Sequence, residues 1–353
     1  MHYIMNKDTP VICIESGAVL DWKMCPKSLA LEDLSVDKIY KWLSNRALPL
    51  SRKNADKIYQ VMGLPREDYL GLMYITHSLS ITDNFWIAED KEIGKIKYSD
   101  INIFDNSFSQ AMYLVALRGA DGFSIQEKII SPEFTGQGTY PKCFIRESSE
   151  IFLCKNQTMK EIQNEVIAGH IAEVVNLRSA LYSYRRVYDL DCSVSKIISS
   201  KNTNWETAFD ITEAMERLTG QIPQDFAANR FKNAYTDLAI FDGIILNDDR
   251  HMKNWAFETD GETNNLIGIA PSYDYNKAFK ATGETMSQLI FDGFKRINIL
   301  RAAREAYRMF GTNLDIYGLA ANIENLPDVI NKRALENRIN YILGYRNSAN
   351  GCY

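Results

Sequence analysis

The chain has 353 residues, 46% hydrophobic and 24% charged, with a formal net charge of -5 at pH 7. That is the composition of a globular protein long enough for one large or two medium domains. The slightly acidic balance gives no global field for nucleic acid or an anionic membrane, and no run approaches the roughly 18 apolar residues of a membrane span.

The opening "MHYIMNKDTPVICIE" lacks the basic-then-apolar pattern of a secretory signal. "TPVICIE" (9–15) predicts a strand, being rich in β-branched residues. "SVDKIYKWLSNRA" (35–47) and "SRKNADKIYQVMGL" (51–64) predict two short helices, the second capped by Ser51 and stopped at Gly63. The pair is either a plain helical hairpin or the rear half of a helix-turn-helix module, in which Arg46, Arg52 and Lys53 would meet DNA. From 120 to 155 the pattern turns to strands: "GFSIQEKII", "KCFIRES" and "SEIFLCK", with the turn-rich "SPEFTGQGTYP" after the first. "MKEIQNEVIAGHIAEVVNL" then sets Ile162, Val166, Ile167, Ile171, Val174 and Val175 close to a helical stripe. Beyond about residue 205 the chain reads as mostly helical. It is broken at "NDDRHMKN" and by a hairpin, "WAFETD", "GETNN", "LIGIAPSYDY", and ends in the helices "RINILRAAREAYRMFG" and "ALENRINYILGYR". A β-rich first half and a helical second half, meeting near 180–200, predict two lobes with a cleft.

Six cysteines, at 13, 25, 143, 154, 192 and 352, form no C-x-x-C pair, and the four histidines do not complete a ligand spacing. They read as reduced thiols of a cytosolic protein. No fixed-period repeat or low-complexity segment is visible.

The densest polar block, "LNDDRHMKNWAF" (246–257), follows the apolar run "LAIFDGIIL". Phosphoryl transfer needs such a block. One carboxylate orients the attacking hydroxyl, while a carboxamide and a second carboxylate hold Mg²⁺. Asp249 precedes Asn254 by five positions, the spacing of a kinase catalytic aspartate and its metal-binding asparagine, and Asp248 precedes it by six. The spacing selects Asp249. Asp274, on the far strand of the hairpin, is the second candidate metal ligand. Upstream, Gly136 and Gly138 sit in a loop where backbone amides could approach phosphates. Lys155 ends a strand and Glu165 lies in the next helix. Arg250 and His251 read as supports of the loop. Asp242 is either a support behind the loop or a plain helix charge.

Over most of its length the chain resembles the HipA-like kinases, a bacterial toxin-kinase family. "FDGIILNDDRHMKNWAF" resembles the family's F-D-x-I-I-x-N-T-D-R-H-x-x-N block, with Asp248 in place of threonine. "IAPSYDYNKAF" resembles its metal-binding segment, "TGQGTYPKCFI" its phosphate loop, "IFLCK" its lysine strand and "QNEVIAGHIAEVV" its glutamate helix; "SLSITDNFWI" and "DINIFDNSFS" resemble segments of one bacterial branch.

The resemblance implies an α/β (α+β) bilobal protein-kinase-like fold. Residues 1–185 would form the N-lobe, with an N-terminal subdomain at about 1–95, and 186–353 a helical C-lobe, with ATP and Mg²⁺ between them. Asp249 would be catalytic, with Asn254, Arg250 and His251 in its loop. Asn254 and Asp274 would bind Mg²⁺. Lys155 would contact ATP phosphates and pair with Glu165, and Thr135, Gly136, Gln137, Gly138 and Thr139 would form the phosphate loop. The resemblance also implies a Ser/Thr protein substrate, a possible antitoxin or regulatory partner, a cytoplasmic location and silencing by autophosphorylation in the loop, with Thr135 the favoured acceptor over Thr139. Tyr273, Tyr275 and Asn276 around Asp274, and Asn156 and Gln157 after Lys155, depart from the family pattern. A pseudokinase acting as an interaction module, a small-molecule kinase and a DNA-associated regulator are the alternatives.

Overall fold

Strand β1 (His2–Asn6) is the middle of an antiparallel sheet of order β2-β1-β3, between β2 (Thr9–Cys13) and β3 (Phe85–Glu89). The structure is a computed structural model and describes residues 1–122, 124, 130–135, 137–280, 282, 284–289, 297–328 and 330–345. Two compact units emerge, each discontinuous in sequence. The first contains Met1–Gln157, Arg185–Glu206 and Glu258–Ile267; the second contains Thr158–Tyr184, Thr207–Phe257 and Gly268–Tyr353.

In the first unit the predicted strand at 9–15 is β2. The helix read at 35–47 is α1 (Val36–Arg46), capped by Ser35, whose side chain accepts from the Lys38 N–H. The next helix, α2 (Ala55–Val61), starts later than Ser51 predicts. Its cap position is Asn54, left-handed at φ 73°, whose amide instead donates to the carbonyls of Ala116 and Leu117. Tertiary bonds have overridden a local cap signal. Gly63, at φ 68°, ends the helix as expected. Helices α3 (Tyr69–Ile75), α4 (Tyr98–Ile101) and α5 (Gln110–Arg118) follow. Ile4, Ile12, Ile39, Leu43, Ile58, Phe85 and Phe134 share one buried core, so the β1 sheet and α1–α2 form one packed body.

The segment predicted as the strand "GFSIQEKII" lies largely outside the described residues. The two strands predicted after it are β4 (Lys142–Glu147) and β5 (Glu150–Asn156), an antiparallel hairpin turning at Ser148, φ 57°. They extend into a sheet of order β4-β5-β7-β6 with β6 (Tyr182–Val187) and β7 (Leu190–Lys196). A third sheet, order β10-β9-β8, holds β8 (Thr203–Thr207) and the predicted hairpin, β9 (Ala256–Asp260) and β10 (Leu266–Ile269). Asp260 closes that hairpin by accepting from the Thr263 N–H and Oγ1, both 2.8 Å.

In the second unit the predicted stripe is α6 (Met159–Val174), with Thr158 and Glu161 forming a capping box. Helices α7 (Thr212–Thr219), α8 (Pro223–Arg230), α9 (Lys232–Ile245), α10 (Ile299–Phe310), α11 (Ile316–Ala321) and α12 (Lys332–Leu343) complete it. From Tyr235 to Ile245 every residue of α9 is buried, which accounts for its largely apolar sequence; the exceptions are the buried Thr236, Asp237 and Asp242. Gly243 permits the approach of α10: a Cβ there would stand 2.4 Å from that of Ala303.

The helix-turn-helix alternative placed Arg46, Arg52 and Lys53 on DNA. Arg46 instead forms a 2.6 Å ion pair with the buried Asp83, and Arg52 is itself buried, donating to the Glu133 carbonyl at 3.0 Å. Burial pulls the Arg52 pKa down to about 10, against the pull of the buried Glu133. Only Lys53 is exposed. Arg52→Ala should therefore cost about 3–5 kcal/mol in urea unfolding, while Lys53→Ala should stay within about 0.5 kcal/mol; equal, small losses for the two would contradict the internal role of Arg52.

Candidate active site

The second unit gathers Asp242, Asp249, Arg250, Asn254 and Asp274. Helix α9 ends at Leu246, a left-handed residue at φ 48°, which turns the chain out of the helix and into the polar block. The Asn247 N–H bonds back to the Asp242 carbonyl, and its side chain donates to Asp242 Oδ1 at 3.0 Å.

Arg250 is the anchor. It is 1% exposed. Its Nε and Nη2 each donate to the Asp242 carboxylate at 3.1 Å, and Nη1 donates to the carbonyls of Asn254 at 2.7 Å and Tyr273 at 2.8 Å. One guanidinium thus fixes the end of α9, the backbone at Asn254 and the residue before Asp274. Burial opposes its charge, but the Asp242 carboxylate outweighs that and raises its pKa. Asp242 is therefore a support of the loop, the first of the two roles its position allowed.

Asp249 lies beside this anchor, half-buried. The Asn254 amide donates to the Asp249 carbonyl at 2.7 Å and to its Oδ2 at 3.4 Å. Burial raises the Asp249 pKa, and the carboxylates of Asp274 and Asp248 add to the rise, against His251 and Lys277. Asp274 adopts φ 62°, and its N–H donates to the Tyr182 hydroxyl at 3.0 Å. A left-handed aspartate costs about 1 kcal/mol, and the Tyr182 and Tyr273 bonds hold the backbone there. His251 Nε2 is 3.8 Å from Asp249 Oδ1, while Nδ1 accepts from the Lys253 N–H at 3.2 Å. The imidazole braces the loop.

The residues that depart from the family pattern are built in. The buried Tyr275 ring lies 5.6 Å from the Arg250 guanidinium and 5.6 Å from the Phe241 ring. The Asn276 carbonyl accepts from Asn164 at 2.9 Å. In the first unit, Asn156 donates to the Asp191 carbonyl at 2.8 Å and the Gln157 side chain accepts from Ser193 at 3.0 Å.

Lys155, on β5, is buried in the first unit, opposite Lys142 and Ser193 in the strand register; Glu165, on α6, is fully buried in the second. In the phosphate-loop candidate, Gly136 lies outside the described residues. Thr135 is buried, its hydroxyl donating to the Leu79 carbonyl at 2.7 Å. Gln137 donates to the Asn45 and Ala47 carbonyls, and the Thr139 carbonyl accepts from the Lys53 N–H at 3.1 Å. Gly138, at φ 97°, has the Lys142 Nζ 3.0 Å from where a Cβ would stand. Thr139 is exposed.

Sequence reasoning missed Asn247, Asn164 and Tyr182 as supports of this site. The bonds of Asn164 and Tyr182 come from partners about a hundred residues away, which the sequence does not mark, and Asn247 bonds locally to Asp242 within the polar block.

For a hard divalent cation, the Asn254 carboxamide and the Asp274 carboxylate are suitable oxygen donors, and the Asp274 charge is among those that raise the Asp249 pKa. Among the described residues no three His, Cys, Asp or Glu side chains cluster as a metal cage. Mg²⁺ needs none, since one or two carboxylates suffice when phosphates complete its shell.

No family sequence profile matches the chain, and no curated protein sequence does. Solved structures do. A HipA structure from Shewanella oneidensis MR-1, described as a toxin–antitoxin system of HipA, HipB and operator DNA, aligns with TM-score 0.59 at 13% identity, covering 100% of this chain and 99% of that one. The Helicobacter pylori proinflammatory kinase CtkA aligns with TM-score 0.44 at 17% identity over 57% of this chain and 89% of its own. The HipA alignment shows that the chain has the HipA-like, mixed α/β kinase fold. Asp242→Ala and Arg250→Ala should each cost about 3–5 kcal/mol in denaturant unfolding, because each strands a buried opposite charge. The double variant should cost far less than their sum; additive losses would show that the two side chains act apart.

Proposed function

We propose that this protein is an ATP- and Mg²⁺-dependent phosphotransferase, a Ser/Thr protein kinase of the HipA type. The observation that carries the reading is the Arg250 clamp, which holds the backbones of Asn254 and Tyr273 from one buried group. The same loop ties the Asn254 amide to the half-buried Asp249, and Asp274 follows directly on the clamped Tyr273.

In this reading Asp249 orients the acceptor hydroxyl and takes its proton as the phosphoryl group moves. Asn254 and Asp274 hold Mg²⁺, which would neutralise charge on the phosphate oxygens. Asn254 also ties its amide to Asp249, so the loop's acid and amide are placed together. Arg250 and Asp242 position; they do not react. We assign Lys155 and Glu165 to the nucleotide, as the sequence resemblance implies. Thr135, Gly136, Gln137, Gly138 and Thr139 are assigned to its phosphates. A partner protein of antitoxin type is part of the same proposal, supported by the HipB named with the Shewanella structure. Five described cysteines, all free and buried, accord with a reducing compartment, and no described helix is long and apolar enough to cross a membrane.

Asp249→Asn should lower phosphoryl transfer by about 10²–10⁴-fold, with Mg-ATP still bound. Asp248→Asn should leave the rate within about threefold, and its acid limb should move to lower pH. The sign follows from charge: Asp248 raises the Asp249 pKa, so removing that charge lets Asp249 ionise at a lower pH. A larger loss in Asp248→Asn, or an acid limb moved upward, would overturn the registration of the loop.

If autophosphorylation silences the enzyme, the exposed Thr139 is its acceptor. Mass spectrometry after incubation with Mg-ATP should find phosphate on Thr139, absent in Asp249→Asn; phosphate on Thr135 would mean that the loop leaves its Leu79 bond.

A further inference from the structure

A cavity lies within the second unit, and its lining does not include Asp249, Asn254 or Asp274. Its volume is about 440 Å³, within the range of small-molecule sites. One wall is α6, with Lys160 and Ile167, and the facing wall is the start of α12, with Ala334 and Arg338. The floor is Leu246 and Phe279, two left-handed residues at φ 48° and 60°, and the Phe279 N–H donates to the Ile245 carbonyl at 2.8 Å.

The lining has a definite chemistry. It carries two cations, the exposed Lys160 and the buried Arg338, and no acidic side chain. Lys160 is the second residue of α6, and Asn331, another lining residue, caps α12 by accepting from the Ala334 N–H at 3.0 Å. Two helix N-termini, in helices of 16 and 12 residues, therefore border the same space. Helix starts and cations favour the same ligand charge. Glu161 is next to Lys160 in sequence but is engaged by Lys277 at 3.0 Å and Lys280 at 3.4 Å, and it does not line the cavity. The remaining surface, Ile167, Leu246, Phe279, Ile330 and Ala334, is apolar.

We propose that this cavity binds a small amphipathic anion, a carboxylate or phosphate head on a short apolar body. The head would meet Lys160, with the positive charge of Arg338 behind it, and the body would lie on the apolar residues. The occupant would also touch Asn164, whose amide holds the Asn276 carbonyl two residues beyond Asp274, so the site adjoins the metal-binding segment.

The test uses the full chain without nucleotide and anilinonaphthalene sulfonate as a fluorescent amphipathic anion. Saturable one-to-one binding is expected in the wild type. Filling the cavity by Ala334→Trp or Ile167→Phe should abolish it, with circular dichroism confirming that each variant folds. Lys160→Glu, at an exposed position, should weaken binding by about tenfold. Octanoate or octyl phosphate should displace the probe, and whichever does so more tightly identifies the head group. Excess Mg-ATP should not displace it. Absence of saturable binding, indifference to all three substitutions, displacement by neither amphiphile, or displacement by Mg-ATP would overturn the proposal. Because no phosphoryl transfer is measured, a failure here is separable from a failure of the kinase reading.

Discussion

Burying a guanidinium is costly unless its N–H groups find acceptors and its charge a partner. Arg250 meets both demands with Asp242 and two main-chain carbonyls. The rest of the candidate site follows from that solution. To bring Arg250 back onto the last turn of α9, the chain must reverse at once, and Leu246 does so at a positive φ. To give the guanidinium its carbonyls, the backbones at Asn254 and Tyr273 must converge, which draws Asp274 toward Asp249. The pair need not add net stability, because a buried ion pair often does little better than an apolar substitute. Its effect is to permit one loop geometry and penalise the others.

The N-terminal helices answer a different demand. Read alone, the end of α1 and the link to α2 offer Arg46, Arg52 and Lys53, basic side chains that suit a phosphate backbone. In the folded unit Arg46 is committed to Asp83 and Arg52 to Glu133, and the backbone of Lys53 bonds to Thr139. These helices grip the loop that runs from Glu133 to Thr139. Thr135 and Gln137 add bonds to Leu79, Asn45 and Ala47. These described loop residues are held against the N-terminal body by backbone and polar side-chain bonds, while Gln137, Gly138 and Thr139 remain exposed.

Much of this was legible in the residues. The apolar run before the polar block predicted a buried element, which α9 is from Tyr235 on; the periodicity of α6 and the turn of the β9–β10 hairpin were likewise readable. The five-residue spacing from Asp249 to Asn254 found two residues that the fold does join by a hydrogen bond. What escaped depends on long-range partners. Ser51 had the chemistry of a helix cap, but the chain there is shaped by the burial of Arg52 and by Asn54 reaching for α5. Thr135 drew attention by its place beside the Gly-x-Gly pair; that its hydroxyl bonds to the Leu79 carbonyl depends on a partner 56 residues away. Arg250 read as a support of the loop; only α9 beneath it and Tyr275 beside it show that it is a core residue.

The measurement that bears most directly on the central claim is transfer of label from γ-labelled ATP in a host lysate, with Mg²⁺ present or chelated. The account predicts a labelled protein carrying phosphate on serine or threonine, formed only with Mg²⁺ and lost when Asp249 is replaced by asparagine. Protein that folds and binds Mg-ATP, yet labels no acceptor beyond background, would contradict it.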